Sequence, residues 1–300
     1  MAIRLATPNE PAHFEAWKDI LWRVSELAMG VDEIEHFLRT DRESRWMLAF
    51  LDESPAGLGV GRPSSVAGAN FAMVRVLPAC RARGVGTALL GSLSEHARAT
   101  GRDQLWGRIR ADDTASLAFA SNRGFREIGR ERDVVLDVLS APIGAAHVES
   151  IEFTTLSERP DLVQEVYELD LEVSPDVPSH GDNEPMTFER WHAENLEGPG
   201  AMPEAYIVAL DSGDVVGYTA LRRRGADSAE AENLLTAVRR DWRRRGIASA
   251  LKQRQIALAR AAGIEQIFTT NDEANVGMRG VNARLGYKPL PEIVVVSGPA

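Results

Sequence analysis

Two stretches of the chain carry the residue types that hold a phosphate. They read Arg81-Ala82-Arg83-Gly84-Val85-Gly86-Thr87 and Arg243-Arg244-Arg245-Gly246-Ile247-Ala248-Ser249. Glycine lets an anion approach the main chain closely, the N–H groups of the loop and of the first helical turn converge on it, and the helix dipole adds attraction. Arg81, Arg83, Arg243 and Arg245 supply neutralising charge. Neither stretch ends in Gly-Lys-Ser/Thr, and neither is the three-glycine dinucleotide fingerprint. The chemistry implied is a pyrophosphate held by main chain and arginine without a metal.

The elements around the two loops repeat in strict register. An offset of 162 residues pairs Gly84 with Gly246, Gly101 with Gly263, Gly124 with Gly286, Val76 with Val238 and Gln104 with Gln266. An apolar strand ending at Val76 or Val238 enters each loop, and a helix of about four turns follows, with Val85, Leu89, Leu93 and Ala97 on one face in the first copy. A second apolar strand (Gln104-Leu105-Trp106, Gln266-Ile267-Phe268) and a closing Gly124-Phe125 or Gly286-Tyr287 complete each unit.

These residues resemble the GNAT superfamily of acyl-CoA-dependent N-acetyltransferases, whose pyrophosphate loop reads Arg/Gln-x-x-Gly-x-Gly/Ala after a strand. Arg81-x-x-Gly84-x-Gly86 and Arg243-x-x-Gly246-x-Ala248 both match. The resemblance implies an α/β fold of two tandem GNAT-type domains, each a mixed twisted sheet flanked by helices. It also implies acetyl-CoA as cosubstrate, wedged between two strands that splay apart, with no metal. The tandem organisation and length are similar to those of mycothiol synthase, although no acceptor-specific residue matches. Val76, Arg81, Arg83, Gly84, Val85, Gly86 and Thr87 are the expected cofactor contacts in the first copy. Thr236, Val238, Arg243, Arg245, Gly246, Ile247, Ala248, Ser249, Asn275 and Asn282 are those of the second.

Acyl transfer to an amine requires loss of a proton from a group with a pKa near roughly 10 and stabilisation of a departing thiolate. Backbone N–H groups near Val76 or Val238 are placed to polarise the thioester carbonyl. Glu232, on the strand bordering the thioester, is the candidate general base, directly or through water; a solvated glutamate at a strand start is the alternative, and Glu230 is a second candidate. Many members of the family place a tyrosine four residues before the Gly-Phe element as general acid, where this chain has Ala120 and Asn282. Tyr287 is expected in the core with its hydroxyl satisfied, which leaves solvent, His180 or His192 as proton donors. Asn275 either touches the pantetheine arm or caps a helix.

The 300 residues suit two domains, expected at 1–145 and 146–300, with Ser140 to Ala146 as the linker. Asp133 to Val138 reads as the last strand of the first half. Between Leu171 and Pro203 the second half carries a proline-rich, acidic and aromatic insertion including Phe188, Trp191 and His192, either an acceptor wall or a cover for the sheet. The net charge of −10 argues against nucleic acid and accommodates a cationic partner. One cysteine rules out an internal disulfide, and no long apolar segment marks a membrane span or leader, so a cytoplasmic enzyme is expected. The histidines show no metal spacing. The expectation is transfer of an acetyl group to the primary amine of a small molecule, with the chemistry in the second copy. An acyl-CoA sensor without turnover and a protein lysine or N-terminal acetyltransferase are the alternatives. Composition does not specify an oligomeric state.

Overall fold

The computed structural model describes residues 2–25, 31–64, 66, 68–142, 144, 147–176, 186–225, 227–272 and 275–300. Strands β1 (Ile3–Ala6), β2 (Arg45–Leu51), β3 (Ser54–Pro63), β4 (Ala69–Val76), β5 (Gln104–Arg110) and β6 (Arg126–Asp137) occupy the first half, with helices α1 (Pro11–Ser25), α2 (Val31–Thr40), α3 (Val85–Ala99) and α4 (Thr114–Ser121). The second half holds β7 (Ile151–Thr155), β8 (Ile207–Asp211), β9 (Asp214–Arg223), β10 (Glu230–Val238), β11 (Gln266–Asp272) and β12 (Lys288–Pro299), with α5 (Val163–Val173), α6 (Phe188–His192), α7 (Ile247–Ala261) and α8 (Val276–Arg284).

Two compact units form. One contains residues 1–130 and 292–300, and the other contains most of 131–291. In the first, β1 to β5 lie in sequence order and β12 pairs antiparallel with β5, Ile293 opposite Arg110 and Pro299 opposite Gln104. In the second, β7 to β11 lie in sequence order and β6 pairs antiparallel with β11, Gln266 opposite Asp137. Each unit therefore takes its last strand from the other half of the sequence. The strand at Asp133 to Val138, which the sequence pattern assigns to the end of the first half, completes the second unit instead. The pattern of alternating side chains defines a strand but not its partner. Of the expected linker, Ile143, Ala145 and Ala146 lie outside the described residues.

Within each unit the sheet is covered on both faces, and alternation along the strands sorts the core. In β2, Trp46, Leu48 and Phe50 pack with Phe14, Trp17 and Ile20 of α1, while Met47, Ala49 and Leu51 pack with Val85, Leu89 and Leu93 of α3. In the second unit, Val208, Leu210 and Tyr218 meet Val166 and Leu169 of α5, while Ile207, Ala209 and Val216 meet Ile247 and Leu251 of α7. The hairpins β2–β3 and β8–β9 turn through two residues of positive φ, Asp52 and Glu53 in one and Ser212 and Gly213 in the other, the geometry that matches strand twist. Among the described residues no helix is long and apolar enough to cross a membrane.

Candidate active site

Each loop is a fixed backbone shape that the two copies share. After β4 a short 3-10 turn at Pro78–Cys80 leads into Arg81, and after β10 the turn at Arg240–Trp242 leads into Arg243. The leading arginine folds back on its own strand: Arg81 Nε donates to the Val76 carbonyl at 3.2 Å, and Arg243 Nε to the Val238 carbonyl at 3.0 Å. Positive φ follows at Ala82 (57°) and Arg244 (63°), then at Gly84 and Gly246, both at 86°. These two glycines are the N-caps of α3 and α7, and neither helix start has a side-chain cap. The first-turn N–H groups of Val85, Gly86 and Thr87, and of Ile247, Ala248 and Ser249, thus have no intrahelical acceptor and face the space a phosphate needs.

Beside each loop the strands part. β4 pairs in parallel with β5 only through Ala69, Asn70 and Phe71, opposite Gln104, Leu105 and Trp106, and the remainder of each strand has no such partner. β10 pairs with β11 only through Glu230, Ala231 and Glu232, opposite Gln266, Ile267 and Phe268. Glu232 is therefore the last paired residue before the gap. Asn233, next along the strand, meets α7, so alternation sends Glu232 to the face carrying α5 and α6. Val76 and Val238 end their strands at the mouth of the gap. The gap and the loop together make a V-shaped slot with main-chain donors at its wide end, which fits a pyrophosphate followed by an extended arm.

Two stretches of the chain, residues 11–125 and 156–287, match the family described as Acetyltransferase (GNAT) family, one stretch per loop. The chain belongs to this family. Solved structures agree in fold. A GCN5-related N-acetyltransferase from Sphaerobacter thermophilus is 22% identical with a TM-score of 0.76, covering 99% of this chain and 95% of its own. A tandem GNAT protein from the clavulanic acid biosynthesis pathway is 19% identical with a TM-score of 0.77, covering 99% and 98%. No curated protein is similar enough in sequence to be matched to the chain.

In this GNAT protein the two slots differ in what borders them. Asn275 caps α8 by accepting from the Met278 N–H at 3.1 Å, and Asp113 caps α4 by accepting from the Ser116 N–H at 3.0 Å. Thr87 accepts from Arg123 Nη2 at 2.7 Å. Asn282, at the position where the family often has tyrosine, is buried and lines a cavity of about 210 Å³ with Arg132, Arg279 and Tyr287. The Tyr287 ring is in the core, but its hydroxyl has no partner among the described residues, contrary to the pattern of a satisfied phenol. Burial alone pushes that phenol above its usual range. His192 Nδ1 lies 3.1 Å from a Glu197 carboxylate oxygen, and His180 lies outside the described residues.

Three further groups stand outside the sequence-predicted site. Asp176, at the end of the segment following α5, accepts from Arg240 Nη2 and Arg243 Nη2, each at 2.6 Å. Those hydrogen bonds, Arg240 first and then Arg243, hold its carboxyl far below the ordinary range. On the α5 face Asp170 accepts from the Tyr218 hydroxyl, and burial raises this carboxyl. Lys252, fully buried on α7, donates to Asn233 Oδ1 at 2.6 Å, and burial lowers its pKa to about 7. Of these, Lys252 had a signal: its register partner in the first copy is the apolar Leu90.

Proposed function

We propose that the protein transfers the acetyl group of acetyl-CoA to the primary amine of a small molecule by direct attack in a ternary complex, with the chemistry in the second unit. The observation that carries the reading is the double occurrence of an uncapped helix start beside a splayed parallel strand pair, in a member of a family that uses acetyl-CoA. In the second unit the N–H groups of Ile247, Ala248 and Ser249, with Arg243 and Arg245, would hold the pyrophosphate, and Thr236, Val238, Asn275 and Asn282 border the path of the arm. The corresponding set in the first unit is Val76, Arg81, Arg83, Gly84, Val85, Gly86 and Thr87. The bound cosubstrate supplies an activated acyl carbon.

The chain supplies position, electrostatics and a proton acceptor. Main-chain N–H groups of β10 polarise the thioester carbonyl. Glu232, at the apex of the gap on the α5 face, takes the amine proton directly or through water as the N–C bond forms. The C–S bond breaks, and the thiolate takes a proton from solvent, since neither Ala120 nor Asn282 can donate one as a phenol does. Thiol release on a panel of small amines, peptides and proteins tests the reading. Turnover confined to small amines is expected; tight acetyl-CoA binding without turnover on any acceptor would make the protein a sensor, and turnover confined to protein substrates would move the acceptor class.

A further inference from the structure

The strand beside the second slot has an irregularity that its counterpart lacks. β4 pairs with β3 without interruption from Asn70 to Val76, whereas the β10–β9 register shifts between Asn233 and Thr236, opposite Leu221 and Thr219. One extra residue on β10 makes a bulge at Leu234–Leu235. Bulges detach backbone groups from the ladder and re-aim them, so they need other partners.

The partners come from a buried polar cluster on the α7 side. Asn233 Nδ2 donates to the carbonyls of Ala220 at 3.0 Å and Leu235 at 3.1 Å. Its Oδ1 accepts from Lys252 Nζ at 2.6 Å and from Thr236 Oγ1 at 3.3 Å. Gln255 Nε2 donates to Thr219 Oγ1 at 2.8 Å, and the two threonine hydroxyls share a hydrogen bond of 2.8 Å. From β11, Thr269 Oγ1 reaches the Asn233 carbonyl at 3.3 Å, at the point where the strands part. The Tyr287 ring covers the ammonium at 4.9 Å.

This arrangement is expensive. A buried lysine loses its hydration, and Gln255 Oε1 and the Tyr287 hydroxyl have no partner among the described residues. The first copy shows that the fold does not require it, because Leu90 and Leu93 stand where Lys252 and Gln255 do, over a strand with no bulge. Groups that cost stability and accompany a backbone distortion at a slot are kept for what they position.

We infer that Lys252 is a positioning residue: through Asn233 it locks the β10 bulge so that the main chain at Leu234–Leu235 is held toward the thioester carbonyl. The inference rests on the reading that acyl transfer occurs in the second unit. By occupying Oδ1, Lys252 fixes the amide so that Nδ2 faces the two carbonyls, and an amide turned the other way would set oxygen against oxygen. A main-chain donor held in this way contributes about a hundred- to a thousand-fold when aimed at a developing oxyanion.

The test uses the full chain with Lys252→Met and Asn233→Asp. Without any cosubstrate, hydrogen exchange at the amides of residues 233 to 236 should quicken by about ten-fold or more in each variant, while α3 and α7 are unchanged. Acetyl-CoA affinity, set at the loop, should stay within about three-fold, and kcat should fall by about ten- to a hundred-fold with little change in KM. The double variant should lose no more than the worse single one, since both act on one bulge. Wild-type exchange and kcat in a folded Lys252→Met protein overturn the inference, as do losses that multiply. If Lys252→Met does not fold, Asn233→Asp decides alone by the same readouts. Should Gly246→Asp leave turnover intact, the location of the chemistry is wrong, and the exchange measurement still decides whether Lys252 supports the bulge.

Discussion

The two loops share a backbone and differ in their neighbours. Ala82 and Arg244, then Gly84 and Gly246, repeat the same left-handed φ values, so both starts of helix present the same donors. In the first copy Arg81 donates to its own strand end, and Arg83 lies 3.9 Å from Asp52. In the second, α5 brings carboxylates to the loop: Glu172 to Arg239 at 3.4 Å and Asp176 to both Arg240 and Arg243. The strands diverge too. Arg75 on β4, half-buried and hydrogen-bonded to Ser25 Oγ at 2.7 Å, stands where β10 has Ala237. A guanidinium there repels a protonated amine, whereas Ala237 carries no charge. Phosphate recognition is written in main-chain geometry and survives duplication, while the surface that meets an acceptor is written in side chains and drifts.

The widest separation between the copies is expected from Gly246→Asp and Gly84→Asp. Aspartate tolerates left-handed φ better than most residues, so the variants report mainly the carboxylate placed against a pyrophosphate. Gly246→Asp should lower kcat/KM by about a thousand-fold, while Gly84→Asp retains most turnover and loses one equivalent of acetyl-CoA by calorimetry. Equal losses would mean that the copies act together, and loss from Gly84→Asp alone would place the chemistry in the first unit.

Glu232→Gln comes next. If Glu232 takes the amine proton, the variant should lose about ten- to a thousand-fold in kcat at neutral pH, and the deficit should narrow as pH rises toward the amine pKa, where free amine no longer needs a base. A deficit that is constant with pH would assign Glu232 to positioning.

These contrasts also show what a sequence exposes. The loops were legible because left-handed backbone at Gly84 and Gly246 demands a residue type, and the demand recurs at a fixed offset. Strand exchange was not, because nothing within β6 or β12 names β11 or β5 as partner. A chain cut at residue 145 leaves β5 without β12, a consequence invisible in either half alone. Lys252 hides behind the ordinary expectation that lysine faces water. Only its register with Leu90, and that of Gln255 with Leu93, marks the apolar face on which both sit. Asp176 meets Arg240 across 64 residues of chain, a pairing set by how α5 ends.

Burial of Lys252 has a sign that separates the copies by pH. Its pKa falls from 10.5 to about 7 on folding, so between those values the unfolded chain holds one proton more than the native one. Stability then rises with pH across that window, and below about pH 7 both states are protonated and the advantage is absent. Wild type minus Lys252→Met, measured by denaturant unfolding, should grow by a few kcal/mol between about pH 7 and 10. Leu90→Met, the matching change in the first copy, should show no such slope. A flat difference for Lys252→Met would mean that the ammonium keeps its solution pKa.

The smallest expected effect concerns Asp176. Its carboxylate occupies Arg243 Nη2 and two nitrogens of Arg240, so a pyrophosphate at the second loop must share or displace those guanidinium contacts beside a like charge. Asp176→Asn keeps the shape and removes the charge. Because the pair is solvent-exposed, the gain should be modest: acetyl-CoA binding tighter by about two- to five-fold at low ionic strength, fading as salt screens the pair. Asp52→Asn, at 3.9 Å from Arg83 in the first copy, should change binding there by less. Weaker binding in Asp176→Asn would reverse the argument, because it would mean that Asp176 holds Arg243 in the orientation the pyrophosphate needs, and that α5 and the loop are prepared together before the cosubstrate arrives.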